Sequence, residues 1–206
     1  MNCSKRLLDI VFSGSSLVIL SPVFLVIAIS IKSFSKGPVF FLQERVGQSG
    51  SRFWMVKFRT MVPDAASRGP LITVAKDSRV TAIGSILRKY KLDELPQLWN
   101  VFKGEMSLVG PRPEVPVYVE HYTPTQMRVL SVRPGITDPA SIAYRHEDFI
   151  LAHKQDPGAY YQQYLLPQKL ALSLRYIETR SLRLDLAILY QTLRSLFRRP
   201  SINPEC

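Results

Sequence analysis

Cysteine is nearly missing from this sequence: among 206 residues only Cys3 and Cys206 occur, at opposite ends of the chain. That excludes a disulfide framework and suits a reducing, cytosolic setting. No internal repeat or low-complexity tract is present, which excludes a repeat array. Acids are outnumbered, with 16 Asp and Glu against 27 Lys and Arg and a net charge of +11. Such a balance points to an anionic partner: nucleic acid, an acidic membrane face or a phosphorylated substrate. Charge alone does not choose among them. A hydrophobic share of 46% excludes a disordered chain. The length admits one compact domain with an appendage rather than two full domains.

Charge is also absent from Ile10 to Ile31, between Asp9 and Lys32. An apolar run of that length can cross a bilayer as a helix. A cleaved signal peptide fits poorly, because Asp9 interrupts the basic leader, the apolar core is too long and the cysteines need no oxidising compartment. A straight crossing helix fits poorly too. Pro22 removes a backbone hydrogen bond in mid-run, and both flanks are basic, Lys5 and Arg6 before, Lys32 and Lys36 after. Positive flanks prefer the cytoplasmic side, so one crossing strands a cluster on the wrong side. A re-entrant helix kinked at Ser21-Pro22 satisfies both, with the freed backbone groups met by Ser21 or neighbouring serine hydroxyls. Residues 1–36 are thus expected to form a membrane anchor and residues 37–206 a cytosolic domain.

After Gly37-Pro38 the pattern turns to β. VFFLQERVG and SRFWMVKFRTM flank the turn Gly47-Gln48-Ser49-Gly50 and predict a hairpin. Strand alternation puts Phe53, Met55, Lys57 and Arg59 on one face, and Trp54, Val56 and Phe58 on the other. Lys57 and Arg59 then form either a phosphate-directed pair or a solvated face. Residues 63–80, with Pro63, Gly69 and Pro70, read as a loop. Ile83, Ile86, Leu87 and Tyr90 have helical spacing with Arg88 at the end. A second helix carries Leu95, Leu98, Trp99 and Phe102 on one stripe and stops at Gly104. Prolines from Pro111 to Pro139 exclude long regular elements. From about Leu165 the chain is helical again, with Leu186, Leu189, Leu193 and Leu196 as a stripe and Arg194, Arg198 and Arg199 nearby. That helix either packs on the core or lies on a membrane interface. The fold class expected is α+β, mostly helical with a small β-hairpin or sheet.

In this basic chain two acids stand side by side, Asp93 and Glu94, at the start of the second helix with Pro96 in its first turn. An acid there is ordinarily an N-cap. A carboxylate near Mg²⁺ and flanked by arginines can instead attack phosphorus as a nucleophile. Gly110-Pro111-Arg112-Pro113 follows, and its prolines hold Arg112 on a stiff, extended segment suited to bidentate contact with phosphate oxygens.

KRLLD at Lys5–Asp9, the apolar run with Ser21-Pro22, QERVG, VKFRTM, LDELPQLWNVFKGEMSLVGPRP and RPGIT at Arg133–Thr137 resemble, in that order, the bacterial sugar transferases called monotopic phosphoglycosyl transferases. The likeness covers nearly the whole chain, and the length is similar to the small form, a catalytic domain with its anchor. LDELPQ followed by SLVGPRP is a specific combination.

The resemblance implies transfer of a sugar 1-phosphate from a UDP-sugar to undecaprenyl or another polyprenol phosphate, with release of UMP, as the first membrane step of a bacterial glycan pathway. It implies Asp93 as nucleophile, a covalent aspartyl-phosphosugar intermediate with ping-pong kinetics, and Mg²⁺ held by Asp93 and Glu94, Glu94 helping to place the metal or assisting proton transfer. Arg112 of Pro111-Arg112-Pro113 and Arg88 would bind phosphates, with Lys57, Arg59 and Arg145 in supporting roles. Lys91 stands where many members carry serine or threonine. The implied place is the cytoplasmic face of the bacterial inner membrane, with phospholipid and no nucleic acid as partners, and homodimerisation left open. A different class, a membrane-anchored basic module binding nucleic acid or acidic lipid, accounts for the charge and the anchor. It leaves the acidic pair beside Pro111-Arg112-Pro113 without a role. A polytopic transferase needs more than one hydrophobic segment.

Overall fold

Helices α1 (Cys3–Ile19) and α2 (Ser21–Phe34) open the chain and meet at Leu20 with a bend of 59°. The bend has a local cause. Pro22 has no N–H to give Val18 O, and the Ser21 hydroxyl donates to that same carbonyl at 2.8 Å. In this computed structural model, which describes residues 3–65, 69, 72–75 and 77–197, no single helix is long and apolar enough to cross a membrane, but the bent pair is when taken together. Both helices leave apolar side chains exposed on their outer faces, among them Val11, Phe12, Val18, Leu25 and Val26.

The expected hairpin is present: β1 (Phe40–Val46) pairs antiparallel with β2 (Arg52–Phe58) across a 3₁₀ turn at Gln48–Gly50. Residues 59–81 hold no α-helix or strand among those described, only a bridge between Met61 and Val80 and a 3₁₀ residue at Ala65; Pro70 lies outside the described residues. Next come α3 (Ala82–Lys89), a 3₁₀ turn at Leu92–Glu94, and α4 (Gln97–Lys103), which ends at the left-handed Gly104. Short elements follow, as the prolines require: β3 (Ser107–Val109), α5 (Pro116–Val119), α6 (Pro124–Met127), β4 (Gly135–Thr137), α7 (Pro139–Ala143), α8 (Glu147–Ala152) and α9 (Pro157–Tyr160). A π-helical turn at Tyr161–Leu165 leads into α10 (Leu166–Thr179), and α11 (Leu182–Phe197) closes the described chain. The class is α+β.

Strands β3 and β4 pair in parallel, Ser107 with Gly135 and Val109 with Thr137. Their contact runs on past the strands. Gly110 N donates to Thr137 O at 3.0 Å and Gly135 N to Pro111 O at 2.9 Å. A β-carbon on either glycine would run into the other's backbone or its neighbours', so RPGIT and SLVGP can close only as glycine on glycine. This junction fixes where Pro111-Arg112-Pro113 leaves the sheet.

The main core joins Phe53 and Met55 of β2, Leu98 and Val101 of α4, Met106 and Leu108, with Tyr176 and Ile188 from the last two helices. A second cluster gathers the C-terminal half around Leu151, Tyr161, Leu165 and Leu170. A third ties α2, through Ile27 and Ile31, to Phe58 and Leu87. The first helix is fastened by polar contacts: Lys5 Nζ donates to Val109 O and to Asp185 (2.5 Å), Arg6 to Val101 O and Phe102 O, and the buried Asp9 accepts from Leu108 N.

The expected stripe of α4 needs correction, and of the two readings of the α11 stripe, packing on the core does not hold for Leu186 and Leu193. In α4 the buried residues are Gln97, Leu98, Asn100 and Val101, while Trp99 and Phe102 are exposed and stack on each other. The reason is Asn100: its amide donates to Trp54 O and accepts from Val56 N, completing the open edge of β2 as a partner strand would. In α11 the inner positions belong to Asp185 and Ile188, and Leu186 and Leu193 face outward with Leu182 and Tyr190. Asp185 is held inside by Lys5 and the Tyr176 hydroxyl. Of the remaining stripe residues Leu189 is half-buried; Arg198 and Arg199 lie outside the described residues.

Candidate active site

Three elements converge on the acidic pair: the end of β2, the 3₁₀ turn that carries both acids, and the segment leaving β3. The pair does not open α4, as its sequence position suggests. It sits one turn earlier, and neither carboxylate caps a helix. The turn begins at Lys91, whose backbone is left-handed (φ 57°, ψ 21°), reversing the chain after α3.

Glu94 is fully engaged. The Arg112 guanidinium donates to both of its oxygens, at 2.7 and 3.2 Å, and Lys57 Nζ lies 3.4 Å from Oε1. Burial alone would raise the Glu94 carboxyl, but Arg112, Lys57 and Lys91 outweigh it and hold the group well below the usual carboxylate range. Its partners respond in kind. Burial pulls Lys57 down to about 8 against the opposing pull of Glu94, while Glu94 raises the Arg112 guanidinium further.

Asp93 is the opposite case. It is 8% exposed, and its Oδ1 has no hydrogen-bond partner. Burial first, then the Glu94 charge, raises its carboxyl above the ordinary value, while Lys57, Lys91 and Arg88 pull against that rise. The pair therefore divides into one carboxylate locked between two cations and one that is buried, more basic and open on one oxygen. An orphaned buried carboxylate oxygen calls for a ligand, a proton or a cation.

Arg88 reaches this region from the last turn of α3. Its Nε donates to Thr60 Oγ1 at 2.8 Å, and its own charge is felt at Asp93. A close approach sets that helix: Gly84 rests directly on the backbone of Thr60, where no β-carbon fits. Pro111 and Pro113 are buried and their carbonyls are occupied, by Gly135 N and by Arg45 Nη1. Behind Pro113, Glu114 pairs with Arg45 and accepts from the Tyr161 hydroxyl at 2.6 Å. Arg59 departs from the expected pair with Lys57. Strand β2 ends at Phe58, and the buried Arg59 guanidinium turns to the C-terminal end of α2, donating to Ser35 O and Lys36 O, where cations are favoured. Arg145 is half-buried, with one guanidinium nitrogen unpartnered. The residue that sequence reasoning passed over is Lys91, noted only as a departure; its charge acts on Asp93 and Glu94 together.

Among the described residues no group of three His, Cys, Asp or Glu side chains is placed to hold a metal ion. The donor the dyad offers is the Asp93 carboxylate, whose buried Oδ1 has no hydrogen-bond partner. A cavity of about 560 Å³ lies elsewhere, between the hairpin turn and α5–α6, and none of the dyad residues lines it.

The family model for bacterial sugar transferases matches residues 1–199. The chain is similar, at 36% identity, to the UDP-N-acetylgalactosamine-undecaprenyl-phosphate N-acetylgalactosaminephosphotransferase of Aeromonas hydrophila, over 93% of this chain and 43% of that protein. It is 37% identical to the UDP-glucose:undecaprenyl-phosphate glucose-1-phosphate transferase of Caulobacter vibrioides, over 93% of this chain and 69% of the relative. With the exopolysaccharide production protein ExoY of Rhizobium meliloti it shares 33% identity, covering 92% and 84%. The chain thus spans less than half of the Aeromonas protein and most of the other two. By the extent of these matches, the chain belongs to the bacterial sugar transferase family.

Proposed function

We propose that this chain moves a sugar 1-phosphate from a UDP-sugar to undecaprenyl phosphate, releasing UMP, by way of a phosphosugar ester on Asp93. The observation that carries this reading is the asymmetry of the dyad: Glu94 held between Arg112 and Lys57, Asp93 buried with a free oxygen. The named activities of the relatives supply the substrate class. Their sugars differ, so the proposal commits to UDP-sugars as a class.

In the first displacement an Asp93 carboxylate oxygen attacks the phosphorus that bears the sugar. The bond from that phosphorus to the bridging oxygen breaks, and its electron pair leaves on UMP. In the second, a phosphate oxygen of the polyprenyl phosphate attacks the same phosphorus. The bond to Asp93 breaks, the carboxylate is restored and a lipid-linked diphosphosugar is formed. No proton need be moved in either step. Splitting the transfer lets a soluble donor and a lipid acceptor use one site in turn. Glu94, kept ionised by its cations, orients Lys57 and Arg112 toward the reacting phosphate. Mg²⁺, which binds through one or two carboxylates and substrate phosphates rather than an all-protein cage, would be held by the Asp93 carboxylate, whose Oδ1 has no partner, together with the donor phosphates, and would neutralise phosphate charge when bound.

The bent pair α1–α2 serves in this reading as a re-entrant anchor at the cytoplasmic face of the inner membrane. Its exposed apolar faces, the serine that satisfies the carbonyl freed by Pro22, and basic residues at both ends support that placement. The outward apolar face of α11 suits the membrane interface.

The test uses the full chain in lipid nanodiscs, a panel of UDP-sugars, undecaprenyl phosphate and Mg²⁺. Expected are UMP release with at least one donor and, in the absence of acceptor, one phosphosugar mass on the peptide that contains Asp93. No UMP from any donor would overturn the activity. Release with ternary-complex kinetics and no adduct would remove the intermediate.

A further inference from the structure

The cations around the dyad are not equivalent. Arg112 and Lys57 are held by Glu94, and Arg88 is held by the Thr60 hydroxyl. Lys91 is exposed at the rim of the site, and its ammonium makes no hydrogen bond or ion pair among the described residues. Its backbone is the second unusual feature. A left-handed conformation costs an L-residue with a β-carbon roughly 1–2 kcal/mol, and glycine or asparagine carries it more easily. The turn needs that conformation: Lys91 N donates to Arg88 O at 3.1 Å, and Glu94 N to Lys91 O at 3.3 Å, so the reversal at Lys91 sets where Asp93 points. A lysine at such a position is strained backbone beside a reactive group, the pattern from which a function is inferred.

Lys91 also faces a second neighbour. Its charge reaches His146 as well as both dyad acids. Arg145 acts on His146 as Lys91 does, and one of its guanidinium nitrogens is buried without a partner.

We propose that Lys91, with that nitrogen of Arg145, holds the nucleotide-side phosphate of the donor, the group that departs as UMP. This rests on Asp93 being the nucleophile. When the bridging bond breaks, negative charge gathers on the oxygen that leaves with UMP, and a cation free of other partners stabilises that charge most. Arg112 and Lys57, oriented by Glu94, remain with the phosphate that carries the sugar. An ammonium on a flexible stem can follow the departing phosphate, as a rigid guanidinium fork cannot.

Calorimetric binding of UMP to the full chain in nanodiscs separates this inference from the reading beneath it. Lys91→Asn keeps the left-handed turn and removes the charge; Lys91→Arg keeps the charge. The Asn variant is expected to bind UMP about tenfold more weakly, the loss of one charge-assisted contact, with a shallower salt dependence, and Arg145→Gln to weaken it as well. The Arg variant should stay within about threefold. Thermal stability of Lys91→Asn at or above that of the parent excludes misfolding as the cause, and Lys91→Gly serves as the second neutral variant if it falls. A parent protein that binds UMP, with neutral variants within twofold of it, overturns the role of Lys91 alone. A parent that binds no UMP overturns this inference together with the reading of the site.

Discussion

The Arg112 guanidinium closes on both oxygens of the Glu94 carboxylate, 18 residues away in the chain. One partner comes from a segment stiffened by two prolines and the other from a tight turn, so neither backbone adjusts easily to a changed side chain. Arg112→Lys keeps the charge and loses the fork. We expect turnover to fall about 100-fold, the scale of a misplacement near one ångström, while the melting temperature moves by only a few degrees because Lys57 still faces Glu94. A Lys variant within threefold of the parent in UMP release would show that charge, not geometry, is what Arg112 provides.

Asp93→Asn separates activity from stability. The amide cannot form the ester, so UMP release should drop by at least about a thousandfold. The same change removes the buried charge of a carboxylate with an unpartnered oxygen and its repulsion by Glu94, so the variant should melt no lower than the parent, in line with the usual trade between function and stability. Turnover within tenfold of the parent removes Asp93 as nucleophile. A clear fall in melting temperature contradicts the claim that its charge is unsupported in the fold.

These two side chains also mark how far the sequence could be read. Asp93, Glu94 and Pro111-Arg112-Pro113 are legible as local motifs, and the hairpin is legible because alternation and a glycine-rich turn are local signals. The bend at Pro22, with serine as the substitute donor, follows from proline chemistry. What the sequence hides is tertiary. Arg59 continues the alternation of β2 on paper, yet the end of α2 claims its guanidinium. Trp99 and Phe102 fall on an apolar stripe, yet Asn100 faces inward because β2 needs an edge partner. Strands β3 and β4, three residues each, are too short for any periodicity, and only the contact of Gly110 with Gly135 explains their pairing.

A pH prediction comes from Asp77. The Arg79 side chain, donating at 2.7 Å to Asp77 Oδ2, lowers the Asp77 carboxyl despite the opposing effect of burial. Arg79 also donates to Ala65 O and Ile72 O, so the pair ties together the loop beneath α3. A carboxyl depressed in the folded state stabilises above its unfolded pKa of about 3.9, and that contribution disappears as pH falls through the folded value. Asp77→Asn should therefore melt below the parent at pH 7, with the gap closing under acid as the parent's own Asp77 becomes protonated. Melting curves from pH 7 to pH 3 check this; a gap that stays constant across that range would falsify the linkage.

Tyr161 offers the sharpest separation of support from chemistry. Its hydroxyl donates to Glu114 at 2.6 Å and lies 3.2 Å from Lys169 Nζ, which in turn donates to Glu147 at 2.8 Å. Glu114 pairs onward with Arg45, whose Nη1 holds Pro113 O. A buried polar chain thus runs from α8 and α10 to the proline-arginine-proline segment, and the π-helical turn at Tyr161–Leu165 carries the residue that joins its two halves. Tyr161→Phe keeps the ring in the core and removes only the hydroxyl, leaving a buried Glu114 oxygen unsatisfied at a cost of about 1–3 kcal/mol. The expected result is a clear loss of stability with KM for the UDP-sugar and kcat each within about tenfold of the parent, since Glu94 continues to hold Arg112 directly. Unchanged stability would mean that water replaces the hydroxyl. A fall in kcat beyond a hundredfold, with the fold intact, would place Tyr161 among the groups that act on the reacting phosphate rather than behind them.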